Sequence, residues 1–152
     1  VPLVINDFLD VAQSTGAEIC HLGQEDFFDN GHTHVSELRP SDSTLQIGLS
    51  THAPEQAQRA IAAGADYVAI GPIYATGTKP TARPVTLEYV RWAAANVKVP
   101  WFAIGGVNLK TIDAVLEAGA RRVCVVSAIL NSPDIPHACS EFRKRLDSAP
   151  LE

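Results

Sequence analysis

Ala63-Gly64-Ala65-Asp66-Tyr67-Val68-Ala69-Ile70 is the stretch on which the fold turns. An amphipathic segment ends in small residues around a glycine, and a β-rich run follows at once. The same pattern stands at Thr15-Gly16-Ala17 before Glu18-Ile19-Cys20-His21, and at Ala118-Gly119-Ala120 before Arg122-Val123-Cys124-Val125-Val126. The physical reading is a helix closed by a glycine in the left-handed region, then a buried strand. The runs are almost continuously apolar rather than alternating, as expected of parallel strands covered on both faces.

Working outward, strands are expected near 2–5, 18–21, 45–49, 67–70, 100–104 and 122–126. Helices are expected near 8–14, 33–38, 54–63, 86–96, 109–117 and 135–147. Pro54 suits a first helical turn, where its missing N–H costs nothing. Thr86 and Asn108 are placed to cap the helices that follow them. Strands alternating with helices mean an α/β fold with a parallel sheet. Two architectures fit: a doubly wound open sheet, or a (β/α)₈ barrel, which needs eight units and about 200 residues or more.

The 152 residues read as a single domain over 1–152. Hydrophobic residues make up 46% and charged residues 19%, enough to bury a core and far from the composition of disorder. A net charge of −5 argues against general nucleic-acid or anionic-membrane binding. The apolar runs are too short to span a bilayer. Cys20, Cys124 and Cys139 are odd in number, widely spaced and without a CxxC, so they read as small buried hydrophobes in a reducing, cytoplasmic setting. Methionine is absent and the chain opens inside a strand, so the natural protein is expected to begin earlier.

The polar residues gather just after the strands. Asn6 and Asp7 follow the first, Gln24, Glu25 and Asp26 the second, and Ser50, Thr51 and His52 the third. Thr76-Gly77-Thr78-Lys79 follows the fourth, in the longest loop, from Gly71 to Val85. Gly105-Gly106 follows the fifth, and Ser127 the sixth. In both candidate folds this strand edge is where ligands bind. Gly105-Gly106 with Val126-Ser127 matches the phosphate site that barrels build from their last two loops. Lys79 can meet a phosphate as a point charge. Asp7 and Asp26 have the oxygen chemistry that Mg²⁺ prefers, although capping would also account for Asp7 and an exposed loop for Asp26. His32-x-His34 with Asp29 invites a metal reading but lacks the helical spacing of a zinc motif. His52 could serve as an acid or base, or cap its helix. No Gly-x-Ser-x-Gly elbow, Walker loop or GxGxxG is present.

Several of these motifs, in order along nearly the whole chain, resemble the thiamine phosphate synthases. They are Asn6-Asp7, His21-Leu22-Gly23-Gln24-Glu25-Asp26, Leu49-Ser50-Thr51-His52, Gly64-Ala65-Asp66-Tyr67-Val68, Gly71-Pro72-Ile73-Tyr74-Ala75-Thr76-Gly77-Thr78-Lys79, Ala103-Ile104-Gly105-Gly106-Val107 and Val125-Val126-Ser127-Ala128-Ile129. The resemblance implies an α/β (β/α)₈ TIM barrel lacking its first two βα units in this chain. It implies a transferase that joins hydroxymethylpyrimidine diphosphate to thiazole phosphate, releasing pyrophosphate and giving thiamine phosphate. By resemblance Asp7 and Asp26 hold Mg²⁺, and Asn6, Ser50 and Lys79 bind the diphosphate, with Ser50 and Lys79 as the catalytic pair. Thr76, Thr78, Gly106, Val126 and Ser127 bind the thiazole phosphate. The partners implied are these two small molecules, with neither nucleic acid nor membrane, in a cytoplasmic enzyme that can form a homo-oligomer.

The chain departs from the family pattern in three places. It aligns from the family's third strand onward, so the Gln-x-Arg-x-Lys segment that grips the diphosphate has no counterpart. Pro80-Thr81 follows Lys79 where the family often has Lys-Asp. The segment between Asp26 and Ser50 is a few residues longer than usual. Two alternatives follow: a thiazole tautomerase-like isomerase, which typically lacks the Gly-Gln-Glu-Asp acids, and an inactive phosphate-binding barrel fragment. A fragment with open strand edges is expected to self-associate.

Overall fold

The computed structural model describes residues 1–40, 43–75 and 83–149. Among them six strands and six α-helices alternate: β1 (Val4–Asn6), α1 (Leu9–Thr15), β2 (Ile19–Leu22), β3 (Gln46–Thr51), α2 (Pro54–Ala62), β4 (Tyr67–Ile70), α3 (Thr86–Asn96), β5 (Trp101–Ile104), α4 (Ile112–Glu117), β6 (Val123–Cys124), α5 (Ser127–Leu130) and α6 (Ile135–Ser148). A π-helical turn over Glu25–Asp29 and a 3₁₀ turn over Val35–Leu38 lie between β2 and β3. The strands form one sheet in the order β1-β2-β3-β4-β5-β6. β1–β2, β2–β3 and β5–β6 pair in parallel. The α/β expectation holds, and the six expected strands make the sheet, which among the described residues does not close into an eight-stranded ring. No helix among the described residues is long and apolar enough to cross a membrane.

The chain divides into two compact units. The first comprises residues 1–69 and 98–100, the second 70–97 and 101–152. In the first unit α1 packs on β1 and β2, and α2 packs on β3. The fully buried Ala12, Cys20, Ile47, Leu49, Ala57 and Ala60 fill this layer. Cys20 aligns with Ile47, and Leu22 with Leu49, across the β2–β3 ladder. Side chains alternate along a strand, so His21, Gly48 and Ser50 fall on the opposite face. Arg39 pairs with Asp66, whose carboxylate also accepts the Ile47 N–H at 2.7 Å. In the second unit α4 packs on α3 and α6. Val90, Ala93, Ile112, Val115 and Phe142 are buried there.

The glycine stops behave as the repeat predicts: Gly16, Gly64 and Gly119 all have positive φ. The caps differ from expectation. Thr86 is itself the first residue of α3, at φ 64, and its hydroxyl accepts the Glu88 N–H at 3.3 Å. Asn108 stands before α4 but spends its Oδ1 on the Lys110 N–H at 2.8 Å, so a turn intervenes and the helix starts only at Ile112. The expected helix at 33–38 is the 3₁₀ turn alone. Of the cysteines, Cys20 is buried, Cys124 half-buried and Cys139 exposed on α6, so only the first fits the buried-hydrophobe reading in full.

At Gly64 two constraints coincide. Its φ is +80°, and an added Cβ would lie 2.6 Å from His34 Nε2. Gly64→Ala is expected to cost about 2 kcal/mol, from left-handed strain plus displacement of the imidazole. Urea denaturation should show a lower midpoint at unchanged slope.

Candidate active site

Most of the polar residues singled out in the first unit converge through backbone and side-chain bonds. Asn6 ends β1 in register with His21 on β2. Asp7 follows at φ 68, a left-handed conformation that aspartate tolerates better than most residues. Its N–H donates to the His21 carbonyl at 2.8 Å, which ties the end of β1 to that of β2. The backbone thereby accounts for Asp7's position, and the residue that caps α1 is Phe8, whose side chain makes no cap hydrogen bond. Asp26 sits in the π-helical turn, where its Oδ2 accepts the Gly23 N–H at 3.0 Å. Gln24 Nε2 reaches across to the Ser50 carbonyl at 2.6 Å.

Ser50 is joined to more than its own strand. Its Oγ lies 2.9 Å from His21 Nε2, and Tyr67 Oη lies 2.9 Å from His21 Nδ1. The His21 and Tyr67 rings stack with centroids 5.5 Å apart. Neither His21 nor Tyr67 is identified as functional by sequence reasoning, since both sit inside β-runs that read as structural. The available signal was a polar His21 near the end of an otherwise apolar strand.

The metal reading of His32 and His34 is replaced by another role. Glu37 accepts from the Thr33 hydroxyl at 2.6 Å, from the His34 N–H at 3.0 Å and pairs with His32 Nδ1 at 3.2 Å. His34 Nδ1 in turn accepts the Ser36 N–H at 3.2 Å. The two imidazoles therefore serve a capping box at the 3₁₀ turn. Among the described residues no group of three or more His, Cys, Asp or Glu side chains is arranged to hold a metal. His52 donates its backbone N–H to Gln56 Oε1 at 2.7 Å just before α2, whose N-cap is Ala53, so here the helix's own Gln56 satisfies His52.

In the second unit, Gly71-Pro72-Ile73-Tyr74 runs against the end of β5. Ile73 N–H donates to the Ile104 carbonyl at 2.9 Å, and Tyr74 N–H to the Gly105 carbonyl at 3.1 Å. A Cβ at Gly106 would stand 2.7 Å from Tyr74 Cβ, so the glycine is what allows this close approach. Val126 and Ser127 are exposed where β6 passes into the single turn of α5. Thr76, Thr78 and Lys79 lie outside the described residues.

The family model described as thiamine monophosphate synthase matches residues 1–129. The chain belongs to this family. A thiamine-phosphate synthase of Thermus thermophilus is 46% identical over 151 residues, with 96% of this chain and 68% of that protein covered. One from Acidothermus cellulolyticus is 45% identical over 149 residues, with 97% and 68% covered. The solved structure of a thiamine phosphate pyrophosphorylase from Pyrococcus furiosus superposes with a TM-score of 0.82 at 30% identity, covering 97% of this chain and 68% of that one. The chain thus spans about two thirds of the length of these relatives. The family assigns it a transferase activity in thiamine biosynthesis, and the isomerase alternative is not favoured, because the curated relatives are named as synthases.

The Glu37 capping box has a pH signature. The Thr33 hydroxyl foremost, then His32 and two backbone N–H groups, hold the Glu37 carboxyl down at about 2, below the usual 4.5. A depressed folded-state pKa contributes stability that is complete above the unfolded value and lost as pH falls through the folded one. The stability gap between wild type and Glu37→Gln should therefore be constant above about pH 5 and shrink toward pH 2. Urea midpoints measured across that range check it.

Proposed function

We propose that the first unit binds hydroxymethylpyrimidine diphosphate with Mg²⁺, and that thiazole phosphate is taken by residues of the second. The observation that carries this reading is the bonded path from Asp7 through His21 to Ser50, on to Gln24 and the turn that holds Asp26. It gathers acids and hydroxyl at the C-terminal ends of three adjacent strands. Asn6 and Ser50 would bind the diphosphate there, with Lys79 from the long loop. Gly106, Val126 and Ser127 would bind the thiazole phosphate, with Thr76 and Thr78.

The donor set suits Mg²⁺. This hard cation keeps several waters and usually takes one or two carboxylates together with phosphate oxygens. Asp7 is solvent-facing, and Asp26 is fixed by the Gly23 N–H on one oxygen. These two acids would hold the ion, which when bound neutralises charge on the leaving diphosphate.

The chemistry asks for positioning and charge stabilisation rather than a protein nucleophile. The bond from the pyrimidine methylene carbon to the diphosphate oxygen breaks, and the electron pair leaves with pyrophosphate. The resulting cation is stabilised by the pyrimidine ring. The thiazole nitrogen then forms the new C–N bond, so holding the two substrates in line supplies much of the rate enhancement. Hydrogen-bond donors at Asn6 and Ser50 would stabilise the developing negative charge. A cytoplasmic setting accords with three free thiols.

Titration calorimetry with inorganic pyrophosphate tests the reading. Affinity in MgCl₂ should fall at least about tenfold in Asp7→Asn and in Asp26→Asn. Binding by wild type that is equal with and without Mg²⁺ would overturn the assignment of these two acids.

A further inference from the structure

Tyr67 lies on β4, yet its side chain acts at the end of β2. Its ring crosses Gly48 on β3 so closely that a Cβ there would strike Cζ, Cε1 and Oη. Gly48 stands in register with His21, so the phenol crosses one strand and arrives at the imidazole. Nδ1 faces Tyr67 Oη at 2.9 Å, and Nε2 faces Ser50 Oγ at 2.9 Å. Both ring nitrogens are thereby engaged, and the ring stack, 25° from coplanar, holds the imidazole in place.

The direction of these bonds decides what Ser50 can do. A neutral imidazole has one donor and one acceptor nitrogen, and the partner of one sets the role of the other. A phenol is more acidic than an alkyl hydroxyl and is the better donor. With Tyr67 O–H donating to Nδ1, the imidazole proton lies on Nε2 and donates to Ser50 Oγ. The serine proton is then not consumed by His21 and is available to a ligand oxygen. In the reverse sense Ser50 would spend its proton on Nε2 and could only accept.

We infer that Tyr67 is a positioning residue that acts through His21 to hold Ser50 as a hydrogen-bond donor toward substrate. This rests on the reading of Ser50 as a diphosphate ligand. Tyr67→Phe removes the hydroxyl and keeps the ring over Gly48, so it separates the hydrogen bond from the packing.

The test joins a spectroscopic readout to binding. Imidazole ¹⁵N NMR at about pH 8, where histidine is neutral, reads the tautomer, with the His21 signals assigned by their loss in His21→Gln. Wild type should show Nε2 protonated, and Tyr67→Phe should shift toward a tautomer mixture. In calorimetry with pyrophosphate and MgCl₂, Tyr67→Phe and Ser50→Ala should each weaken binding roughly fivefold, as expected of one hydrogen bond. The double variant should bind no more weakly than Ser50→Ala, because Tyr67 has no effect once the hydroxyl is gone. An Nδ1-protonated His21 in wild type, or losses that add in the double variant, would overturn the relay. A Ser50→Ala variant that binds as wild type would instead remove Ser50 from the diphosphate site, and the tautomer measurement would still judge the Tyr67–His21 bond separately.

Discussion

Asn6, His21 and Gly48 stand abreast on three neighbouring parallel strands. Strand side chains alternate between faces, so a slip of one residue would exchange the two sets. Cys20 and Ile47 would leave the layer beneath α1 and α2, and His21 would enter it. The cost of burying an imidazole while exposing those apolar groups holds the register. The site inherits its order from that apolar layer: Asp7 is hung from the His21 carbonyl, Ser50 sits two residues beyond Gly48, and Gln24 reaches the Ser50 carbonyl.

The same register explains why a glycine is needed at position 48. Any side chain there would occupy the space through which Tyr67 reaches His21. Removing one side chain from the middle strand lets groups on its two neighbours meet above it. A polar chain built this way is stiff, because each ring is held by its neighbour as well as by its own backbone. Stiffness suits a reaction in which the protein places charge and donors and contributes no covalent step.

The histidines show how one residue type divides between scaffold and site. His32 and His34 close a capping box around Glu37, and His34 also packs on Gly64. His21 carries the link between Tyr67 and Ser50. A glutamate three residues on marks His34 for the capping box, whereas nothing local marks His21 for the site. His-x-His attracts attention as a metal pattern, while a histidine inside an apolar run passes as part of a strand. Glu37, three residues beyond His34, fixes the one pair, and Gly48, which has no side chain of its own, opens the way to the other.

The sequence by itself determined the alternation of strands and helices, their boundaries to within a few residues, and the placing of polar groups at the strand ends. These depend on local periods, on glycine stops and on turn chemistry, all of which are short-range. It also carried the family, because Gly-Gln-Glu-Asp and Gly-Pro-Ile-Tyr are contiguous words. Only the tertiary structure decided that the six strands join in chain order in one sheet, that Asn108 closes a turn instead of starting a helix, and that Tyr67, His21 and Ser50 form one chain. Tyr67 and His21 are 46 residues apart, and His21 and Ser50 are 29 apart. Contacts at that separation are set by which strands lie side by side and in what register, and a pattern read along the chain contains neither.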